Sequence, residues 1–402
     1  MTPTAVQPLS QRVLNMEESA TLAMSAQARA LKAEGHDVIS LSLGEPDFDT
    51  PDHIKEAAKQ ALDEGYTKYT PVPGLLELRK AIQTKFKRDN DLDYAPDQIV
   101  VSNGAKQSIA NLALALLDEG DEFIILAPYW VSYDAIVQMA GGKSVIVGAG
   151  IEQDYKVTPE QVAAAITPRT KAVLFSSPCN PTGMVYSRAE LGAIAEVIAP
   201  HEQIVVISDE IYEYINFGGS HTSIGTIPAL RDRTVTVNGF SKGFAMTGWR
   251  LGYMGAPKWL AAACTKIQGQ FTSGATAFGQ KAAVTALLGD QQPTQDMLAA
   301  YDERRALFTE LLSVNKKMRV NHPGGAFYIF PNVEGYLGSE AGGKTIETDV
   351  DFCEYLLHEA HVATVPGSAF GAPGCIRLSY AASEAQLREA ADRMAKALVK
   401  LG

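Results

Sequence analysis

Cysteine is scarce in this chain: four in 402 residues, with no CxxC spacing. That excludes a disulfide scaffold and a zinc ribbon, and Cys179, Cys264, Cys353 and Cys375 read as small buried hydrophobes in a reducing compartment. No apolar run reaches membrane-spanning length, so a membrane protein is not expected. The opening MTPTAVQPLSQRV lacks both an apolar signal core and the Arg-rich pattern of a transit peptide, and a cytoplasmic location is expected. Repeats, low-complexity tracts and long charge blocks are also missing. Positive charge is in deficit, 35 Lys and Arg against 46 Asp and Glu, a net charge of −11. This weighs against nucleic acid or an anionic membrane as partner. Anionic small molecules must then be captured by local basic groups.

A hydrophobic content of 46% with 20% charged residues describes a globular protein, and 402 residues exceed one ordinary core. From about residue 95 to 255, short Val/Ile/Leu runs alternate with helical stretches. The strand candidates are 98–102, 122–126, 143–147, 171–176, 203–208, 233–238 and 251–256. Near-continuous apolar strands imply burial on both faces, hence a largely parallel sheet under helices. TPEQ at 158–161 and the pair Ser383 and Gln386 read as capping boxes. Elsewhere the texture changes: helices about 19–34 and 293–315, the apolar run VISLSL, and short strands near 326–331, 361–365 and 375–380. The expected fold is α/β: a large domain (50–292) with a mostly parallel seven-stranded sheet flanked by helices, and a smaller α+β domain from both chain ends (1–49 and 293–402).

In such sheets ligands sit beyond the carboxyl ends of the strands, and the chemistry-bearing residues follow strands here. GFSKGFAMTGWRLG (239–252) sets Lys242 among small residues, with Arg250 eight positions on. A lysine amine forms a Schiff base with an aldehyde, and an arginine fork holds a phosphate. Pyridoxal phosphate carries both groups. After the first strand, Asn103-Gly104-Ala105-Lys106 opens a helix whose free N–H groups suit an anion. Trp130 offers a face for a pyridine ring, and the Asn180 amide in SPCNPTG can donate to a phenolate oxygen. Asp209 in SDEIY can keep the pyridine nitrogen protonated, and Tyr212 can share the phenolate oxygen.

With these motifs the chain resembles a class I aminotransferase of pyridoxal phosphate fold type I, in the bacterial aspartate/prephenate aminotransferase subgroup. LGEPDFDTP, KYTPVPG, APYWVSY, PGGAFY, VPGSAF and IRLSY carry the likeness through the rest of the chain. The resemblance implies Lys242 as Schiff-base lysine, Asp209 as pyridinium partner, Asn180 and Tyr212 as phenolate partners, and Trp130 as stacking residue. It implies Arg250, Ser241 and the Gly104–Lys106 turn as phosphate ligands. Tyr69 would reach the phosphate of a neighbouring subunit in a homodimer. Arg377, aided by the Gly44 backbone, would grip the α-carboxylate of an amino acid or 2-oxo acid, and Lys106 with Ser19 and Thr21 would meet a distal carboxylate. The expected reaction is L-aspartate with 2-oxoglutarate, by ping-pong transamination. The alternatives are a prephenate, aromatic or broad-range aminotransferase, then a carbon–sulfur lyase, then a non-catalytic cofactor-binding module. Glu17-Glu18 stands where some relatives that accept prephenate carry a basic residue, which weighs against that substrate.

Overall fold

The structure, a computed structural model, describes residues 9–14, 16 and 20–401. Its centre is a seven-stranded sheet of β1 (Ile99–Ser102), β2 (Glu122–Ala127), β3 (Lys143–Gly148), β4 (Thr170–Ser176), β5 (Val205–Asp209), β6 (Thr234–Gly239) and β7 (Gly252–Gly255). Each falls on a run expected to be a strand. In space the order is β1-β7-β6-β5-β4-β2-β3. Strands from β3 through β6 run parallel, while β7 is antiparallel to both β6 and β1.

Alternate residues enter different cores. Phe123, Ile125 and Ala127 pack with Ile109, Leu112 and Tyr133 on one face. Ile124 and Leu126 pack with Val162, Leu191 and Ile194 on the other. This is the twofold period of a strand in a sheet covered on both sides. β3 forms an edge, is largely open to solvent and begins at the charged Lys143.

A further core joins the two ends of the chain, with Met24, Ala28 and Leu41 packed among residues such as Phe308, Phe352, Leu378 and Met394. The capping boxes at Thr158 and Ser383 close as expected. The strands of this part are shorter than expected. VISLSL pairs only at Ile39–Ser40, parallel to Val362–Ala363. Tyr328–Ile329 and Val365–Pro366 flank Ile376–Ser379 in an antiparallel sheet. The missing ladder bonds are made across single bridges and loops, such as Ser379 N–H to the Leu41 carbonyl, 2.9 Å. A hairpin of Glu340–Ala341 with Lys344–Thr345 was not anticipated. All four cysteines are buried and free. No helix among the described residues is long and apolar enough to cross a membrane.

Candidate active site

The sheet order explains how distant residues meet. Asn180 follows β4, Asp209 closes β5, Lys242 follows β6 and Gly104 follows β1. Arg250 precedes β7, and because β7 is antiparallel its start lies at the same end of the sheet. Trp130 follows β2. These residues line one cavity of about 600 Å³, within the range of small-molecule sites. Thr21, Gly44, Ala105, Lys106, Tyr212, Ser241 and Arg377 line it too. Tyr69, expected at the phosphate of a neighbouring subunit, is 98% exposed. Ser19, with Glu17 and Glu18, lies outside the described residues.

Lys242 donates from Nζ to the Gly44 carbonyl. Its ammonium also lies 5.6 Å from the ring centres of Tyr212 and Phe327. Burial pushes its pKa from 10.5 down to about 8, with the nearby cations Arg377 and Arg250 adding to the effect. A useful fraction of neutral amine is therefore present near neutral pH. Asp209 is buried; burial lifts its carboxyl to about 6, against the hydrogen bond from Tyr133. The Tyr133 hydroxyl donates to Asp209 Oδ2 at 2.7 Å, and the Ile211 N–H donates to Oδ1 at 3.2 Å. Both carboxylate oxygens are thus held.

Arg377 is fully enclosed, at 2% exposure, and is not a surface charge. It donates to Asn180 Oδ1 at 3.0 Å and to the Ser42 carbonyl at 2.7 Å. Its Nε has no hydrogen-bond partner among the described residues. A buried guanidinium N–H left open in this way points to an anion that completes it. With Asn180 Oδ1 engaged, the Asn180 amide N–H₂ remains available to a ligand. The Tyr212 and Tyr328 hydroxyls lie 2.7 Å apart.

The anion cradle is built from backbone. Helix Ala105–Leu116 starts at Gly104, and no side chain among the described residues caps it. Gly104 has φ 84°, and a Cβ there would stand 2.5 Å from an Arg250 guanidinium nitrogen. A Cβ on Gly252 would lie 2.2 Å from the Ala105 nitrogen. Both glycines are therefore required for the close approach. Arg250 itself has φ 56° and is anchored by the Thr247 carbonyl at 2.9 Å. Lys106 lies 4.9 Å from the centre of the Trp130 ring, and desolvation lowers its pKa. Among the described residues lining the cavity, Lys106, Lys242, Arg250 and Arg377 face only two acidic groups, Glu45 and Asp209. The local field is positive, against the charge of the whole molecule.

This donor set fits pyridoxal phosphate. The uncapped helix start with Arg250 and Ser241 suits the phosphate, the Lys242 amine the aldehyde and the held Asp209 carboxylate the ring nitrogen. The Asn180 amide and Tyr212 phenol suit the ring oxygen. The family model described as aminotransferase class I and II matches residues 36–394. The chain belongs to the class I and II aminotransferases. It is 48% identical to an aspartate/prephenate aminotransferase of Cereibacter sphaeroides over 96% of this chain and 97% of that one. It is also 48% identical to an aspartate aminotransferase of Geobacillus stearothermophilus, over 96% of this chain and 98% of that one. The crystal structure of the Rhizobium meliloti aspartate aminotransferase superposes with a TM-score of 0.95 at 45% identity, covering 98% of this chain and all of that one. The protein is a pyridoxal phosphate-dependent aminotransferase acting on amino and 2-oxo acids. The lyase and binding-module readings are set aside.

Three features had not been singled out in the sequence. Tyr133 and Tyr328 lie within APYWVSY and PGGAFY, and each touches a site residue, Asp209 and Tyr212 respectively. The third is a buried polar cluster one residue past Asp209. Glu210, Glu213 and His221 bring ligand-type atoms within 4.8 Å of one another. Lys85 pairs with Glu213, His221 Nε2 lies 2.9 Å from Glu210, and Asn90 donates to Glu213 at 2.7 Å. Lys85 brings a positive charge to this group through Glu213 and donates to Asn90 Oδ1 at 2.6 Å, so the cluster reads as charge-balanced support behind β5.

Proposed function

We propose that the chain is a cytoplasmic, homodimeric L-aspartate:2-oxoglutarate aminotransferase. The observation that carries the substrate reading is the second cation. Arg377 suits an α-carboxylate, and Lys106, on a separate element of the same cavity, suits a carboxylate at the other end of a dicarboxylic substrate. Thr21 Oγ1 is buried at the cavity without a hydrogen-bond partner among the described residues, as a hydroxyl awaiting a ligand would be.

The cofactor, when bound, supplies an electron sink for the charge left at the substrate Cα. Trp130 would offer its face to the ring, and Asp209, oriented by Tyr133, would hold a proton on the ring nitrogen. Asn180 and Tyr212 would donate to its ring oxygen, and Gly104, Ala105, Ser241 and Arg250 would hold its phosphate. Arg377 orients the substrate by its α-carboxylate. Lys242, whose amine lines the same cavity and has its pKa lowered to about 8, would serve as the base and acid that takes a proton from the substrate Cα and returns it. The second half-reaction reverses these steps with the oxo acid.

Tyr69, fully exposed, supports an active site completed by a second copy of the chain. Buried, unpaired cysteines agree with a reducing compartment. The core that joins Met24, Ala28 and Leu41 to the C-terminal part supports a division into 50–292 and 1–49 with 293–402, with Tyr212 and Ile215 packed into it from the larger part. The second reading, prephenate as amino acceptor, is favoured by a relative named for it at 48% identity.

Lys106→Ala tests the substrate reading. A hydrogen bond to a charged group contributes roughly 1.5–3 kcal/mol, so kcat/KM for aspartate and glutamate should fall by about 10- to 100-fold. Alanine and aromatic donors, which lack a distal carboxylate, should be much less affected. Equal losses for all donors would make Lys106 a phosphate-site residue and remove the main support for aspartate.

A further inference from the structure

Tyr328 is buried at the start of the strand Tyr328–Ile329 and touches three parts of the site. Its hydroxyl lies 2.7 Å from that of Tyr212, and the two rings meet edge to face with centroids 5.8 Å apart. The Arg377 guanidinium sits 4.6 Å from the centre of its ring. A Cβ on Gly44 would stand 2.6 Å from its hydroxyl, so the backbone bearing the Lys242 acceptor closes directly over it. The backbone is tied as well. Ala326 N–H donates to the Ile215 carbonyl at 2.8 Å, and Ile215 N–H donates to that of Tyr212 at 2.8 Å. Side chain and main chain thus lock the Tyr328 segment onto the turn that carries Tyr212.

We propose that Tyr328 is a positioning residue, whose hydroxyl donates to the Tyr212 phenol and so fixes and strengthens the donation of Tyr212 to the cofactor ring oxygen. This rests on the role given to Tyr212 above. A phenol has one proton to give and lone pairs to accept. If Tyr212 spends its proton on the ring oxygen, the bond between the two tyrosines must run from Tyr328 to Tyr212. Accepting that bond polarises Tyr212 and makes it a better donor. The ring face is used separately, as a platform for Arg377.

The test is a spectrophotometric pH titration of the lysine-linked cofactor chromophore in the holoenzyme, compared among the parent, Tyr328→Phe, Tyr212→Phe and the double variant. Loss of a donor to an anionic oxygen raises its basicity, so Tyr212→Phe should move the midpoint to higher pH. Tyr328→Phe should move it the same way but less, by roughly half to one pH unit, the size carried by a neutral hydrogen bond. The double variant should titrate where Tyr212→Phe does, because Tyr328 acts only through Tyr212. Since phenylalanine keeps the platform, the KM for the amino donor should stay near the parent value. An unmoved midpoint in Tyr328→Phe beside a moved one in Tyr212→Phe would overturn the proposal. So would additive shifts in the double variant, or a rise in KM in step with the shift. An unmoved midpoint in Tyr212→Phe would instead remove the role of Tyr212 itself, and the proposal with it.

Discussion

Lys242→Ala is expected to eliminate transamination and the lysine-linked absorbance of the cofactor while leaving the fold and part of the cofactor affinity in place. The two losses share one cause. On the proposed assignment Lys242, which lines the same cavity as Asp209, is the amine that both bonds the protein to the aldehyde and moves the proton. The retained affinity has another cause. The uncapped start of Ala105–Leu116, the Arg250 fork and the Trp130 face do not depend on the lysine. Removing a charge that burial already disfavours should not cost stability in the cofactor-free protein, because its pKa is pushed down to about 8. For the parent, capture of free pyridoxal phosphate should quicken as pH rises through about 8, where the neutral amine becomes the major form. Substantial residual transamination in the variant, or a capture rate that rises only near the ordinary lysine value, would contradict the assignment.

Asp209→Asn is expected to lower kcat by at least about 10²-fold while the cofactor still binds. An amide can accept a hydrogen bond but cannot balance a charge on the ring nitrogen. In the cofactor-free protein burial raises the Asp209 carboxyl to about 6, and the hydrogen bond from Tyr133 opposes this. The carboxylate is thus available as the anion at neutral pH, already oriented before any ligand arrives. Stopped-flow measurement of one half-reaction isolates this effect from product release. A near-parent rate would mean that another group balances the ring nitrogen.

Much of this was legible in the sequence because the decisive residues obey a local rule. Asn180, Asp209 and Lys242 follow or close apolar runs, and a doubly covered parallel sheet places strand ends together. The antiparallel course of β7 was not legible, yet it is what brings Arg250 beside Gly104, since a parallel strand would begin at the far end of the sheet. The contacts of Tyr133 and Tyr328 were hidden for a different reason. Their partners lie 76 and 116 residues away, and nothing in the local pattern separates a hydrogen-bonded tyrosine from a core one. The cluster of Lys85, Glu210, Glu213 and His221 was hidden likewise, because charge balance across 120 residues or more leaves no periodic trace. The short strands near Val362 and Tyr328 were overestimated because their two-residue pairings are set by neighbouring loops and not by their own apolar runs.

The central claim is that Lys242 and Arg377 serve a ping-pong exchange of an amino group between dicarboxylic acids. The most direct measurement mixes the cofactor-loaded protein with excess L-aspartate and no oxo acid, and counts the oxaloacetate released. The expected result is one oxaloacetate per Lys242 site and then a stop, with one glutamate formed per site when 2-oxoglutarate is added to the protein freed of aspartate. Continuous release of an oxo acid without an acceptor, or no release at all, would contradict it.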